Sequence, residues 1–214
     1  MEFVSKLTSE EEILNLLRTE VASKVKKRRF EHILRVEEEI VDMGRLFLPD
    51  RIFYLRVAAI LHDYTKDLSF QEQLQLCEKF GIIRSEDKSA DVLHAITGAF
   101  AVKEMYPSIV TEEVFHAILS HTTGSDRMTV FDKLLFVADY IERGRTYRSC
   151  IELRQEFWSS VKDAPQSERV DCLDKICLKI LDFTIEFLRR ENKLIDKETF
   201  LARDAIIHSQ KHQA

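Results

Sequence analysis

The stretch Val57-Ala58-Ala59-Ile60-Leu61-His62-Asp63 runs an unbroken apolar segment straight into an imidazole and a carboxylate. Working back from it, Ile52, Leu55, Ala58, Ala59 and Leu61 make the segment apolar nearly all round, the pattern of a helix central to a core. Asp50 is a good N-cap, so a helix is expected from Arg51 to about His62. A carboxylate buried where such a helix runs out must find a cation or change its protonation. Imidazole and carboxylate together form a mixed nitrogen and oxygen donor set that suits iron, manganese or zinc.

Outward from this segment the chain reads as helix throughout. Ser9 to Glu20 is an opening amphipathic helix with a Ser9/Glu12 capping box. A basic run (Lys24, Lys26, Lys27, Arg28, Arg29) leads into a helix through Phe30, Ile33, Val36 and Ile40, expected to end at Gly44. Arg29 lies three residues before His32, so the two share one face. Tyr64-Thr65-Lys66-Asp67 reads as a polar exit loop, and Ser69 to Phe80 as a short helix closed by Gly81. Ser89 is expected to cap a helix carrying His94 that ends before Pro107, and Thr111 one that leads to His121-Thr122-Thr123-Gly124. A strongly apolar helix runs from about Thr129 to Ile141 with Asp139 in its midst. The pattern is helical again from Ile151, and Asp196 to His208 closes the chain. No stretch alternates with period two, so the expected fold class is all-α, one domain over residues 1–214.

Composition agrees. In 214 residues there are only five glycines and three prolines, which disfavours a sheet with many tight turns. With 45 % apolar residues the chain can fill one sizeable core. A net charge of −5 argues against a general nucleic-acid coat. No apolar run approaches the roughly 18 residues of a membrane span, and the N-terminus lacks a secretory pattern. Cys77, Cys150, Cys172 and Cys177 lack paired metal-ligand spacing and read as reduced structural thiols, the usage of a cytoplasmic protein. Whether it forms a homodimer is left open.

Collected in order, the candidates for chemistry are His32, His62-Asp63, His94, His121 and Asp139, each on or at the end of a separate expected helix. Helical bundles converge such residues on an interior metal site. His116, His208 and His212 stay outside this set.

That order resembles the HD-domain metal-dependent phosphohydrolases, and more narrowly the YqeK-type symmetrical bis(5′-nucleosyl)-tetraphosphatases. The resemblance rests on Arg29-Phe30-Glu31-His32, Leu61-His62-Asp63-Tyr64-Thr65-Lys66, His94-Ala95-Ile96-Thr97-Gly98, His121-Thr122-Thr123-Gly124 and the segment from Asp132 to Glu142. It covers about residues 24–148, with the N-terminal helix and the tail after about 150 assigned structural roles as helices packed on that HD core. One departure concerns Arg143, which stands where the family usually has a proline, although Gly144 and Arg145 follow as expected.

The resemblance implies that His32, His62, Asp63 and Asp139 hold the metal, iron first, with manganese, cobalt or another divalent ion as alternatives and one or two ions per site. Asp63, His94 and His121 are its implied catalytic residues. Arg29, Lys66, Thr122, Thr123 and Arg145, again with His94 and His121, would bind substrate. The implied reaction is attack of metal-activated water on an inner phosphate of diadenosine tetraphosphate, giving two ADP. The alternatives are the same chemistry on another nucleotide (a nucleotidase or cyclic-nucleotide phosphodiesterase), or a non-catalytic nucleotide-binding module. No nucleic-acid or membrane partner is expected.

Overall fold

The computed structural model describes residues 9–82 and 90–211, and every regular element among them is helical. In chain order these are α1 (Glu10–Lys24), α2 (Lys27–Phe47), α3 (Ile52–Leu61), α4 (Phe70–Lys79), α5 (Ala90–Met105), α6 (Glu112–Ser120), α7 (Val130–Ile141), α8 (Arg148–Lys162), α9 (Gln166–Arg190) and α10 (Lys197–Lys211).

Helix starts follow local chemistry. Ser9 and Glu12 form the expected capping box, Ser69 and Glu72 another, and Thr129 and Asp132 a third at the head of α7. Thr111 caps α6 through a bond from Val114 N. The cap expected at Ser89 lies outside the described residues, as does His212.

Two boundaries differ from the sequence reading. α2 continues past Gly44 to Phe47, because nothing stops a helix until Leu48, the residue before Pro49, is pushed out of helical geometry. Gly44 has another use: a Cβ there would lie 2.8 Å from Leu55 Cδ1, so its bareness lets α3 pack close. Asp50 does not cap α3. It lies in a 3₁₀ turn (Pro49–Arg51), and Arg51 occupies the cap position without a side-chain bond.

α3 is the axis of the molecule, packed by α1, α2, α6 and α7, with Leu55 and every residue from Val57 to Leu61 buried. α2 and α7 also pack together, α9 lies along both, and α10 covers α9. One continuous apolar cluster extends from Leu14 in α1 to Ile206 in α10. The segment after α3 is no exposed polar loop. It is a run of tight turns (Tyr64 N to Leu61 O, Lys66 N to Asp63 O, Leu68 N to Thr65 O) with Asp63 and Thr65 buried. No described helix is long and apolar enough to cross a membrane.

Gly124 closes the α6 exit with φ +70° and bonds back to Ser120 O at 2.8 Å. A Cβ here would meet the Ala202 Cβ at 2.8 Å, against α10. Gly124→Ala therefore combines left-handed strain with overpacking, and an unfolding free energy lower by about 2–4 kcal/mol is expected. Urea titration checks this; a change below about 0.5 kcal/mol would show that α10 yields freely.

Candidate metal centre

Two helix ends aim two imidazoles. His62 stands at the C-cap of α3 and His121 at the C-cap of α6. In each ring Nδ1 lies 2.7 Å from the carbonyl three residues back, Ala59 O and Ile118 O. A carbonyl can only accept, so Nδ1 carries a proton, and in the neutral ring the Nε2 lone pair faces inward. The same bond satisfies a carbonyl that the helix end would leave orphaned. A third imidazole, His32 of α2, is braced by Glu142, whose Oε1 lies 3.2 Å from its Nδ1.

These rings face two carboxylates. Asp63 Oδ2 lies 3.3 Å from His62 Nε2 and 3.8 Å from His32 Nε2, while Asp63 Oδ1 lies 3.2 Å from His94 Nε2 and 3.7 Å from His121 Nε2. Asp139 Oδ1 is 2.9 Å from His32 Nε2 and 3.9 Å from His62 Nε2. Three donor groups result: His32 with His62 and Asp63, His62 with His121 and Asp139, and Asp63 with His94 and His121. Within each, the ligand atoms lie within 4.8 Å of one another. Nε2 of His32 and Nε2 of His62 are buried without a hydrogen-bond partner, though Asp139 Oδ1 stands 2.9 Å from the His32 nitrogen. Buried lone pairs converging beside carboxylates have the chemistry of a site for a divalent cation, so the residues fit a metal.

His94 differs from its neighbours. Lys66 Nζ, which has only protons to give, lies 3.3 Å from His94 Nδ1. The ring proton is therefore on Nε2, 3.1 Å from the bare Nε2 of His121. Burial, only partly offset by Asp63, pushes His94 down to about 4, so it is neutral with an N–H facing the site. For Asp63, burial favours the neutral acid, but His62, His121 and His94, when they carry a proton toward it, outweigh burial and hold the carboxyl well below its usual range. With those rings neutral, its donors are the His94 Nε2–H and Arg29. At Asp139 burial is outweighed by Arg145 and His32 in the same sense.

Cations complete the rim. Arg29 Nη1 is 2.7 Å from Asp63 Oδ2, and Arg145 Nη2 is 2.8 Å from Asp139 Oδ1. The cluster opens into a cleft of about 210 Å³ whose lining includes Arg29, Lys66, His94, His121, Thr122 and Arg145. Thr123, expected beside Thr122, is directed elsewhere: its hydroxyl donates to Gly124 O and it lines a separate cavity of about 880 Å³. That larger cavity contains none of the clustered imidazoles and is lined mainly by apolar groups. The smaller cleft has the chemistry.

Several contributors escaped the sequence reading. Ile180 and Thr184 of α9 wall the cleft, although the tail after 150 was assigned structural roles. Glu142 is pushed down to about 2: burial opposes ionisation, but His32, Gly144 N and Arg35 prevail. Arg154 of α8 donates to Ile141 O, Glu142 O and Arg145 O, so the loop carrying Arg143 in place of proline is held from outside. Only Glu142 left a sequence signal, one turn beyond Asp139.

Residues 29–144 match the family model described as HD domain. The chain is 30 % identical to the symmetrical bis(5′-nucleosyl)-tetraphosphatase of Halalkalibacterium halodurans, over 86 % of this chain and 92 % of that protein. It is 30 % identical to the protein of the same description from Staphylococcus aureus, over 81 % and 86 %. A crystal structure described as a predicted HD superfamily hydrolase involved in NAD metabolism, from Clostridium acetobutylicum, superposes with a TM-score of 0.79 at 25 % identity, covering 91 % of this chain and 97 % of that one.

Glu142→Gln keeps the size of the side chain that braces His32 but removes its charge. Metal affinity is expected to fall about 10- to 100-fold with little loss of fold. Chelator competition with metal analysis measures it, and unchanged affinity would detach Glu142 from the centre.

Proposed function

As the chain belongs to the HD-domain family, we propose that its metal-dependent hydrolase chemistry acts on diadenosine tetraphosphate, cleaving it symmetrically to two ADP. The observation that carries this reading is the 30 % identity, over 92 % of its length, to a symmetrical bis(5′-nucleosyl)-tetraphosphatase. The site supports it: four imidazoles and two carboxylates converge beneath a cleft rimmed by Arg29, Lys66 and Arg145.

In this reading His32, His62, Asp63 and Asp139 hold the metal, iron being our assignment. Their mixed donor set suits iron as well as manganese or zinc. When bound, such an ion supplies Lewis acidity and lowers the pKa of water from ~15.7 towards neutrality. The chain's own residues do the rest. Arg29, Lys66 and Arg145 neutralise charge building on the phosphoryl oxygens. His94, neutral with its proton on Nε2, donates to a phosphoryl oxygen, and the Thr122 hydroxyl, 3.3 Å from that nitrogen, adds a second polar contact. His121 presents the opposite character, a lone pair, and completes a second cation position or orients the attacking water. Asp63 joins the two halves of the cluster, one oxygen toward His62 and the other toward His94. Phe136, Tyr140 and Ile180 offer an apolar wall to a purine. Water adds to an inner phosphorus, one anhydride P–O bond breaks, and each half leaves as ADP.

The test is to incubate purified, metal-analysed protein with diadenosine tetraphosphate and separate the products by ion exchange. ADP as sole product, abolished by chelation, is expected. AMP with ATP would refute symmetrical cleavage, and no turnover by metal-loaded protein would refute the substrate. Asp63→Ala is expected to bring bound metal and hydrolysis down together to background; retention of metal by that variant would overturn the ligand assignment.

A further inference from the structure

The reacting cluster lies at the junction of two concavities. Beyond the cleft of about 210 Å³ is a second groove of about 420 Å³, and the two share Arg29 and Arg145 as their common wall. His32 reaches the floor of the second groove, so it touches the same cluster from the other side. Ligand pockets for drug-sized molecules usually run to ~300–1,000 Å³. The first cleft alone is therefore too small to hold both nucleosides of a dinucleotide.

The second groove has the chemistry of a phosphate-chain and base site. Lys26, Arg28 and Arg35 line it together with the shared Arg29 and Arg145. Its two carboxylates are already engaged: Asp67 Oδ2 accepts from Lys26 N at 2.7 Å, and Glu142 accepts from Arg35 Nε at 2.8 Å. Among the described residues, Lys26 and Arg28 have no ion-pair partner, and both are exposed. At the rim stands Tyr147, 74 % exposed, an amphipathic ring with its face open to solvent. An aromatic face beside unpaired cations is the pattern that stacks a base and holds its phosphates.

Resting on the function proposed above, we infer that this groove is the subsite for the second nucleoside of the substrate, with Tyr147 stacking its base and Lys26 and Arg28 contacting its phosphates. The phosphate chain then passes between Arg29 and Arg145, one nucleoside in each concavity and the cluster beneath its middle. That placement gives a physical reason for symmetrical cleavage. A substrate with a nucleoside at one end only would leave this groove unused.

The experiment compares diadenosine tetraphosphate with adenosine 5′-tetraphosphate, which keeps the phosphate chain and lacks the second nucleoside. Wild type, Tyr147→Ala and Arg28→Ala are assayed on both, and each is titrated calorimetrically with a methylene-bridged, uncleavable dinucleoside tetraphosphate. Tyr147 is so exposed that its loss leaves the core untouched. The expected result is a fall of about tenfold in the preference for the dinucleotide in Tyr147→Ala, the size of one lost stacking contact, with rescue by Tyr147→Phe. Binding of the uncleavable analogue weakens by the same factor. Equal kinetic effects on both substrates, or none, together with unchanged binding of the analogue, would overturn the subsite. If wild type binds the analogue in a Tyr147-dependent way but hydrolyses nothing, the subsite stands and the proposed reaction falls.

Discussion

The Asp63 carboxylate is ionised inside the protein, 3 % exposed, and the surrounding structure answers to that fact. An isolated carboxylate moved from water to such a position costs several kcal/mol even after relaxation. Both its oxygens are met. Oδ2 takes Arg29 from α2 and faces His62, and Oδ1 faces His94 from α5 and His121 from α6. Four separate parts of the chain are thereby drawn to one point.

Helix ends make this convergence accurate. His62 and His121 each bond the carbonyl one turn back, which orients the ring and selects its tautomer in a single contact. His32 is held differently, by Glu142, and Glu142 is held in turn by Arg35 and by the Gly144 amide. Gly144 leaves room for that brace: a Cβ there would lie 2.2 Å from Arg35 Nε and push the guanidinium off Glu142. The Arg35 guanidinium occupies the space any side chain would need. Pairing with the two carboxylates at the rim and bracing Glu142 beneath it are thus done by different arginines.

Much of this was legible in one dimension. The capping box at Ser9, the Thr111 cap, the all-round apolar α3, and charged residues ending or interrupting apolar helices all act over a few residues, where sequence spacing is geometry. Misreadings have the same root. Asp50 looked like a cap, but Pro49 begins a 3₁₀ turn that displaces it, and Gly44 looked like a stop although it serves close packing against Leu55. Thr122 and Thr123 are adjacent in sequence, yet the helix exit turns one into the cleft and the other into a different cavity.

Sequence by itself determined the helices, the axial place of α3 and the donor types, because helical periodicity, caps and buried charge express local physics. Tertiary structure alone decided the rest. Arg154, Ile180 and Thr184 reach the site from α8 and α9, whose patterns carry no chemistry of their own. Distance along the chain says nothing about which side chains of distant helices share a cavity. That is set by how whole apolar faces pack, so the opposite tautomers of His94 and His121 emerge only when Lys66 and Ile118 are seen at their Nδ1 atoms.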